Sequence, residues 1–143
     1  MITEAEPDNL WPVTPDRHQH DRRSLYLLNK RTVRLPFLAN FDQPDTMTSC
    51  SVRQTSTHAL QSLSLLNSDF MQDQSRSLAD RILRCCGESD RDCQVSRAFE
   101  FTLARQPSAA ERALAGNFLR SGSHALDDFA LVLLNRNEFV YRP

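Results

Sequence analysis

Glycine is scarce in this sequence, with only 3 in 143 residues. That is poor for phosphate-cradling loops and for tight hairpins, and it favours helices. An excess of one charge is equally missing. Lys plus Arg number 17 against 18 for Asp plus Glu, a net charge of -1. No global field therefore draws the chain to nucleic acid or to an anionic membrane. No apolar run approaches the roughly 20 residues of a membrane span. The opening MITEAEPDNLWPVTPD is acidic and proline-containing, without the basic start and apolar stretch of a signal peptide. As it stands, the chain is expected to stay where it is made. GxSxG, HExxH, Walker, EF-hand and dinucleotide motifs are all missing, which removes the common signatures of catalysis.

The four cysteines, Cys50, Cys85, Cys86 and Cys93, make no CxxC pair and no CxxCH haem-attachment sequence. His18, His20, His58 and His124 do not stand at zinc-finger spacings from them. Free thiols, buried or half-exposed, are the ordinary reading. The alternative is a Cys86–Cys93 disulfide across the turn-like GESDRD, formed in an oxidising compartment.

What is there is a globular composition, 40% hydrophobic and 24% charged, in a chain long enough to bury one core. Residues 1–21 read as an irregular arm broken by Pro7, Pro12 and Pro15, with Trp11 packing on the body. Residues 22–143 read as a single helical domain. SLYLL, from Ser24, suits a short strand or extended segment, and FLANFD after Pro36 supports at most one helical turn. From Thr57 onward helical periodicity dominates. Thr57 to Asn67 carries Leu60, Leu63 and Leu66 on related faces. Ser68 is an N-cap for a helix with Met71, Leu78, Ala79, Ile82 and Cys86 inward, which Gly87 closes. The next stripe is Val95, Ala98, Phe99, Thr102 and Leu103, running until Gln106 and Pro107. Ser108 and Glu111 form a capping box for a helix whose inner face is expected at Ala110, Ala113, Leu114 and Phe118. Gly122 closes it, and Ser123 caps the last helix, with Leu126, Phe129, Ala130, Leu133 and Leu134 inward. Asp127 and Asp128 lie in that helix's first turn, where its dipole favours negative charge. The fold class is mainly α: an antiparallel bundle of four to five helices preceded by an extended N-terminal arm.

The candidate functional cluster is Asp42, Asp45, Arg53, Cys50 and His58. FDQPD places two carboxylates on a proline-interrupted loop, a pattern that suits a metal or acid–base work, with turn chemistry as the ordinary reading. Cys50 and His58 could make a thiolate–imidazole pair only if the fold brings them together. The HQH histidines, His18 and His20, read as a solvated pair. Arg22, Arg23, Lys30, Arg31, Arg34 and Arg53 concentrate positive charge in the first third, a candidate anion or polysaccharide surface, with a solvated or ion-paired face as the ordinary reading. At the far end Asn135, Asn137 and Glu138 suit backbone capping as the last helix stops. Phe139 and Tyr141 suit a tail docking on the bundle.

Several blocks carry a family resemblance: RRSLY (Arg22 to Tyr26), FDQPD…SCSVR (Phe41 to Arg53), LQSLSLLN (Leu60 to Asn67) and the closing LLNRNEFVY. AFEFTLARQPSAAE adds Arg105, Pro107 and Glu111. Together, over residues 22–141, they resemble the planctomycete-type domain of unknown function. That domain commonly forms the C-terminal part of large bacterial proteins with cytochrome c modules. Ala59, where proline is common, and Ser62, where alanine is favoured, depart from the pattern. The hydroxyl of Ser62 is then expected on a helix face that could be buried. The resemblance implies a fragment whose upstream region is missing, with Met1 an internal start or the product of a truncated gene. It also implies exported or periplasmic full-length relatives, haem only in the full-length protein, and no catalytic residues to carry over. The favoured expectation is a non-catalytic module whose partner is the upstream region of the same protein, exposing an apolar patch where that partner belongs. Competing with it is an enzyme or metal site on the FDQPD loop and Arg53, completed by missing regions.

Overall fold

The computed structural model describes residues 14–16, 19, 22–27, 30, 34–44, 47, 49–52, 56–122 and 124–141. Trp11, His18, His20, Arg31, Asp45, Arg53 and Ser123 lie outside them. The described residues are helical, with no strand. In chain order the described elements are a 3-10 turn (Ser24–Tyr26), α1 (Pro36–Ala39) and α2 (Ala59–Asn67). There follow α3 (Asp69–Cys86), α4 (Arg91–Leu103), α5 (Ala109–Phe118), α6 (Ala125–Leu134) and α7 (Asn137–Val140). These helices pack on one another as a mainly α bundle.

Local signals start and stop several helices where the sequence places them, although α5 ends at Phe118 with Leu119 as its C-cap rather than running to Gly122. The Ser68 hydroxyl accepts from the Met71 N–H at 3.3 Å and starts α3. Gly87 ends it at φ 72, a conformation that glycine adopts without a Cβ clash. Asp90 caps α4 by accepting from the Cys93 N–H. Ser108 and Glu111 close the reciprocal capping box of α5. α4 stops at Leu103, short of Gln106 and Pro107, because Ala104 turns left-handed at φ 54. The N-cap of α6 is His124, whose side chain makes no capping bond. Ser24–Tyr26 is a 3-10 turn rather than a strand. There the Arg22 guanidinium stacks 4.1 Å from the centre of the Tyr26 ring, a local contact in place of strand pairing.

The core joins Ile82 of α3, Val95, Ala98 and Phe99 of α4, Ala115 and Leu119 in and just after α5, and Ala125, Phe129 and Leu133 of α6. Ala79, Ala98 and Ala130 are wholly or almost wholly buried. Their small side chains let the helices approach closely while Ile82 and Leu133 fill the space between, each contributing roughly 1.5–3 kcal/mol by burial. The expected stripes on α3, α4 and α6 therefore hold. The expected inner face of α5 does not. Ala110 and Ala113 are exposed, Leu114 is 71% exposed and Phe118 keeps one edge in solvent, while Ala115 and Leu119 turn inward. Polar anchors rotate this helix: Arg112 donates to Ser96 Oγ at 2.9 Å and Glu111 faces Arg105. Phe118 still packs tilted against Phe129, centroids 6.4 Å apart.

Cys86 and Cys93 form a disulfide that ties the end of α3 to the first turn of α4, so the free-thiol reading of that pair is corrected. Asp90 caps α4, and the buried Gln94 donates to the Gly87 carbonyl at 2.6 Å. Those bonds fold the GESDRD turn so that the two thiols meet. Cys50 and Cys85 remain free and exposed. Thiol titration of the denatured, unreduced protein should therefore find two reactive groups per chain, rising to four on reduction. Four before reduction would show that the bond does not form.

Candidate functional site

α2 is assembled inside out. Its one buried residue is Gln61, 2% exposed, whereas Leu60, Leu63 and Leu66 are 57%, 51% and 42% exposed. Positions 60, 63 and 66 share one side of a helix, and 61, 64 and 65 share the other. The inward side is polar at Gln61 and Ser64, and hydrogen bonds hold it. Gln61 Nε2 donates to the Ser56 carbonyl at 2.9 Å, Asn40 Nδ2 donates to Ser64 Oγ at 2.7 Å, and the Tyr141 hydroxyl donates to Gln61 Oε1. Phe70, at the start of α3, adds a further exposed ring edge-on to Phe37. Ser62 is exposed, so its hydroxyl burdens no buried face. Ala59 is the first helical residue of α2 and follows an extended His58 at φ -141, ψ 161. Those are the backbone conditions proline tolerates.

The FDQPD loop leans on the same assembly. Asp42 sits at φ 54, a left-handed conformation that aspartate tolerates better than most residues. Its carboxylate accepts from the Ser56 N–H at 2.6 Å and from the Ser56 hydroxyl at 2.8 Å. A chain of bonds thus runs from Asp42 through Ser56 and Gln61 to Tyr141, joining residues 42 and 141 through α2. Cys50 is exposed and donates to the Val52 carbonyl at 3.1 Å rather than to His58. His58 is exposed and serves as the N-cap of α2 without a side-chain capping bond. Among the described residues no group of three His, Cys, Asp or Glu side chains could hold a metal.

A second polar constellation lies at the other end of α4. Arg105 donates from Nη1 and Nη2 to the two oxygens of Glu111 at 2.9 and 2.8 Å. It donates from Nε and Nη2 to Glu138 at 2.6 and 3.0 Å, and from Nη1 to the Gln106 carbonyl at 3.2 Å. That uses the full donor capacity of a guanidinium. Its plane lies 5.2 Å from the Phe99 ring centre. Hydrogen bonds to Glu111, then to Glu138, raise the Arg105 pKa above its ordinary value. The same bonds hold both carboxyls below the usual carboxylate range, with the Ser108 N–H a further cause for Glu111. Neither glutamate is poised to take up or release a proton near neutrality. The constellation fastens the α4–α5 turn to α7, and its chemistry is structural. Arg105, Glu111 and Glu138 belong to the sequence pattern noted above, but only the fold shows Arg105 meeting Glu138 across 33 positions.

The described residues thus define a helical bundle with two internally satisfied polar knots and an outward leucine face. The chain belongs to the PSD1 family, described as "Protein of unknown function (DUF1553)", whose model matches residues 3–119. RRSLY, FDQPD, LQSLSLLN and the Arg105–Glu111 segment lie inside that match, and LLNRNEFVY lies beyond it. No curated protein and no solved structure matches the chain.

Proposed function

We propose that this chain is a non-catalytic docking module that packs, through the outer face of α2, against the upstream region of a larger exported protein. The observation that carries the reading is the inversion of α2, with Gln61 buried and Leu60, Leu63 and Leu66 in solvent. Exposing a row of leucines beside Phe70 costs the isolated domain hydrophobic free energy, and covering them recovers it. Asp42, the described carboxylate of the FDQPD loop, is engaged with Ser56, so its observed partner is structural rather than catalytic. The Cys86–Cys93 disulfide supports export, since such bonds persist in oxidising compartments. The cytochrome c association rests on the family resemblance alone. This chain has no CxxCH sequence, so a covalently attached c-type haem would belong to other modules. No helix among the described residues is long and apolar enough to cross a membrane.

The test places a photo-crosslinking residue at Leu63 in the protein as its native host makes it. Crosslinks are expected to join position 63 to peptides upstream of this domain in the same polypeptide. Crosslinks confined to α2's own neighbours, or none at all, would sink the reading.

A further inference from the structure

The last helix is held unlike α3, α4 and α6. α7 has four residues and buries none of them, far too few to be helical without support. α3, α4 and α6 each bury several side chains. α7 and the residue after it are tied down by two polar contacts instead. Glu138 grips Arg105 through two hydrogen bonds, and the Tyr141 hydroxyl donates to Gln61. Phe139 and Tyr141 keep more than a third of their surface in solvent.

We infer that α7 is a releasable latch, a terminal strap that opens by local unfolding while the bundle stays folded, and whose release loosens α2. The cost of opening at the Arg105 contact is small for a physical reason. When Glu138 leaves, Arg105 keeps both bonds to Glu111 and its bond to the Gln106 carbonyl, so no buried charge is stranded. The donors freed are on a guanidinium already one-third exposed, which water can reach. The hinge is Asn135 and Arg136. Asn135 Nδ2 holds the Leu131 carbonyl at 2.8 Å, while its buried Oδ1 accepts no hydrogen bond among the described residues. Arg136 is already extended at φ -70, ψ 141.

Opening acts on α2 through Gln61. With Tyr141 gone, Gln61 loses the partner of its buried Oε1, and the inward polar side of α2 keeps its bonds to Ser56 and Asn40. The latch therefore reaches the helix that carries the leucine face. Its importance for partner binding rests on the docking reading above, whereas the latch itself is read on the chain alone.

Hydrogen exchange of the full chain, wild type against the double variant Glu138→Gln, Tyr141→Phe, tests this. The reporters are the Phe139, Val140 and Tyr141 amides, bonded to Arg136 and Asn137 carbonyls, with α2 peptides alongside. In the wild type these α7 amides should exchange well before those of α3 and α6. The double variant should speed α7 exchange by about tenfold or more, from the loss of a charged and a neutral hydrogen bond. It should speed α2 as well and leave α3 and α6 unchanged. Glu138→Gln alone should affect α7 more than α2. The inference is overturned if α7 amides exchange only together with α3 and α6, or if the double variant leaves α7 protection as it was. Crosslinking at Leu63 can fail without touching this result, so the two proposals fall separately.

Discussion

Replacing Phe99 with alanine is expected to destabilise the domain by about 3–5 kcal/mol, the range for removing a buried aromatic ring. Phe99 is 2% exposed and sits where α4 meets α6, its ring centre 6.3 Å from that of Phe129. The Arg105 guanidinium lies over the same ring, 5.2 Å from its centre. The neighbours that would have to collapse into the vacancy are fixed. Phe129 is held by the body of α6, and Arg105 is held by two glutamates. A cavity is therefore left rather than filled, and the cost falls at the upper end. For a chain of this size the melting temperature should drop by roughly 10–20 °C. Phe99→Leu keeps most of the volume and should cost clearly less. Thermal unfolding followed by circular dichroism measures both. An alanine variant melting within about 2 °C of wild type would show that this aromatic contact is not central to the core.

Replacing Arg105 with methionine should produce the second large effect, and its size should depend on pH. In the folded protein Arg105 holds the carboxyls of Glu111 and Glu138 below their ordinary range. A glutamate in the unfolded chain titrates near about 4.3. Groups depressed in this way add stability that is fully present above the unfolded value and is lost as pH falls through the folded values. The wild type should therefore lose stability on acidification below about pH 4.3. In the variant the two carboxylates face each other with only the more distant Arg136 guanidinium, 3.9 Å from Glu111, to offset them, so protonation relieves repulsion. The gap between wild type and variant should be widest near neutrality and should narrow steadily toward about pH 2. Denaturant midpoints across that range read it directly. Arg97→Met makes the control, since its exposed pair with Glu100 on the same helix is a weak contributor. Arg105→Lys should rescue only part of the loss, because an ammonium has three donors on one atom and cannot pair with each carboxylate through two bonds as the planar guanidinium does. A gap that stays constant with pH would mean that Arg105 acts through packing on Phe99 alone.

Much of the bundle was legible along the chain, for reasons that are local. A cap is a contact between residues three apart, so Ser68, and Ser108 with Glu111, announce helix starts without any knowledge of neighbours. Gly87 announces a stop by its freedom at positive φ. The stripes of α3, α4 and α6 follow from apolar residues recurring at the helical period. α5 was misread because Leu114 and Phe118 outweigh Ala115 on any hydrophobic scale. The bonds that rotate this helix, from Arg112 to Ser96 and from Glu111 to Arg105, come from another helix and an intervening turn. The disulfide was open for a similar reason. Spacing permits Cys86 and Cys93 to meet, but Gln94 reaching back to the Gly87 carbonyl helps bring them together. Within the candidate cluster, the sequence could gather Asp42, Cys50 and His58 only as chemical types. The fold gives Asp42 to Ser56 and Cys50 to Val52, and Asp45 and Arg53 lie outside the described residues.

By itself, then, the sequence determined a mainly helical domain, the caps at Ser68 and Ser108 with Glu111, the stop at Gly87 and three of its buried stripes, because these rest on composition, local hydrogen bonding and periodicity. Its family was legible from the quoted blocks. The tertiary structure alone decided which way α2 and α5 face and which carboxylates Arg105 holds. It also decided that Tyr141 reaches a glutamine 80 residues earlier. Each of these depends on a contact between distant segments. Periodicity can show that Leu60, Leu63 and Leu66 share a side of α2, but only the position of Gln61 against Ser56 and Tyr141 turns that side outward.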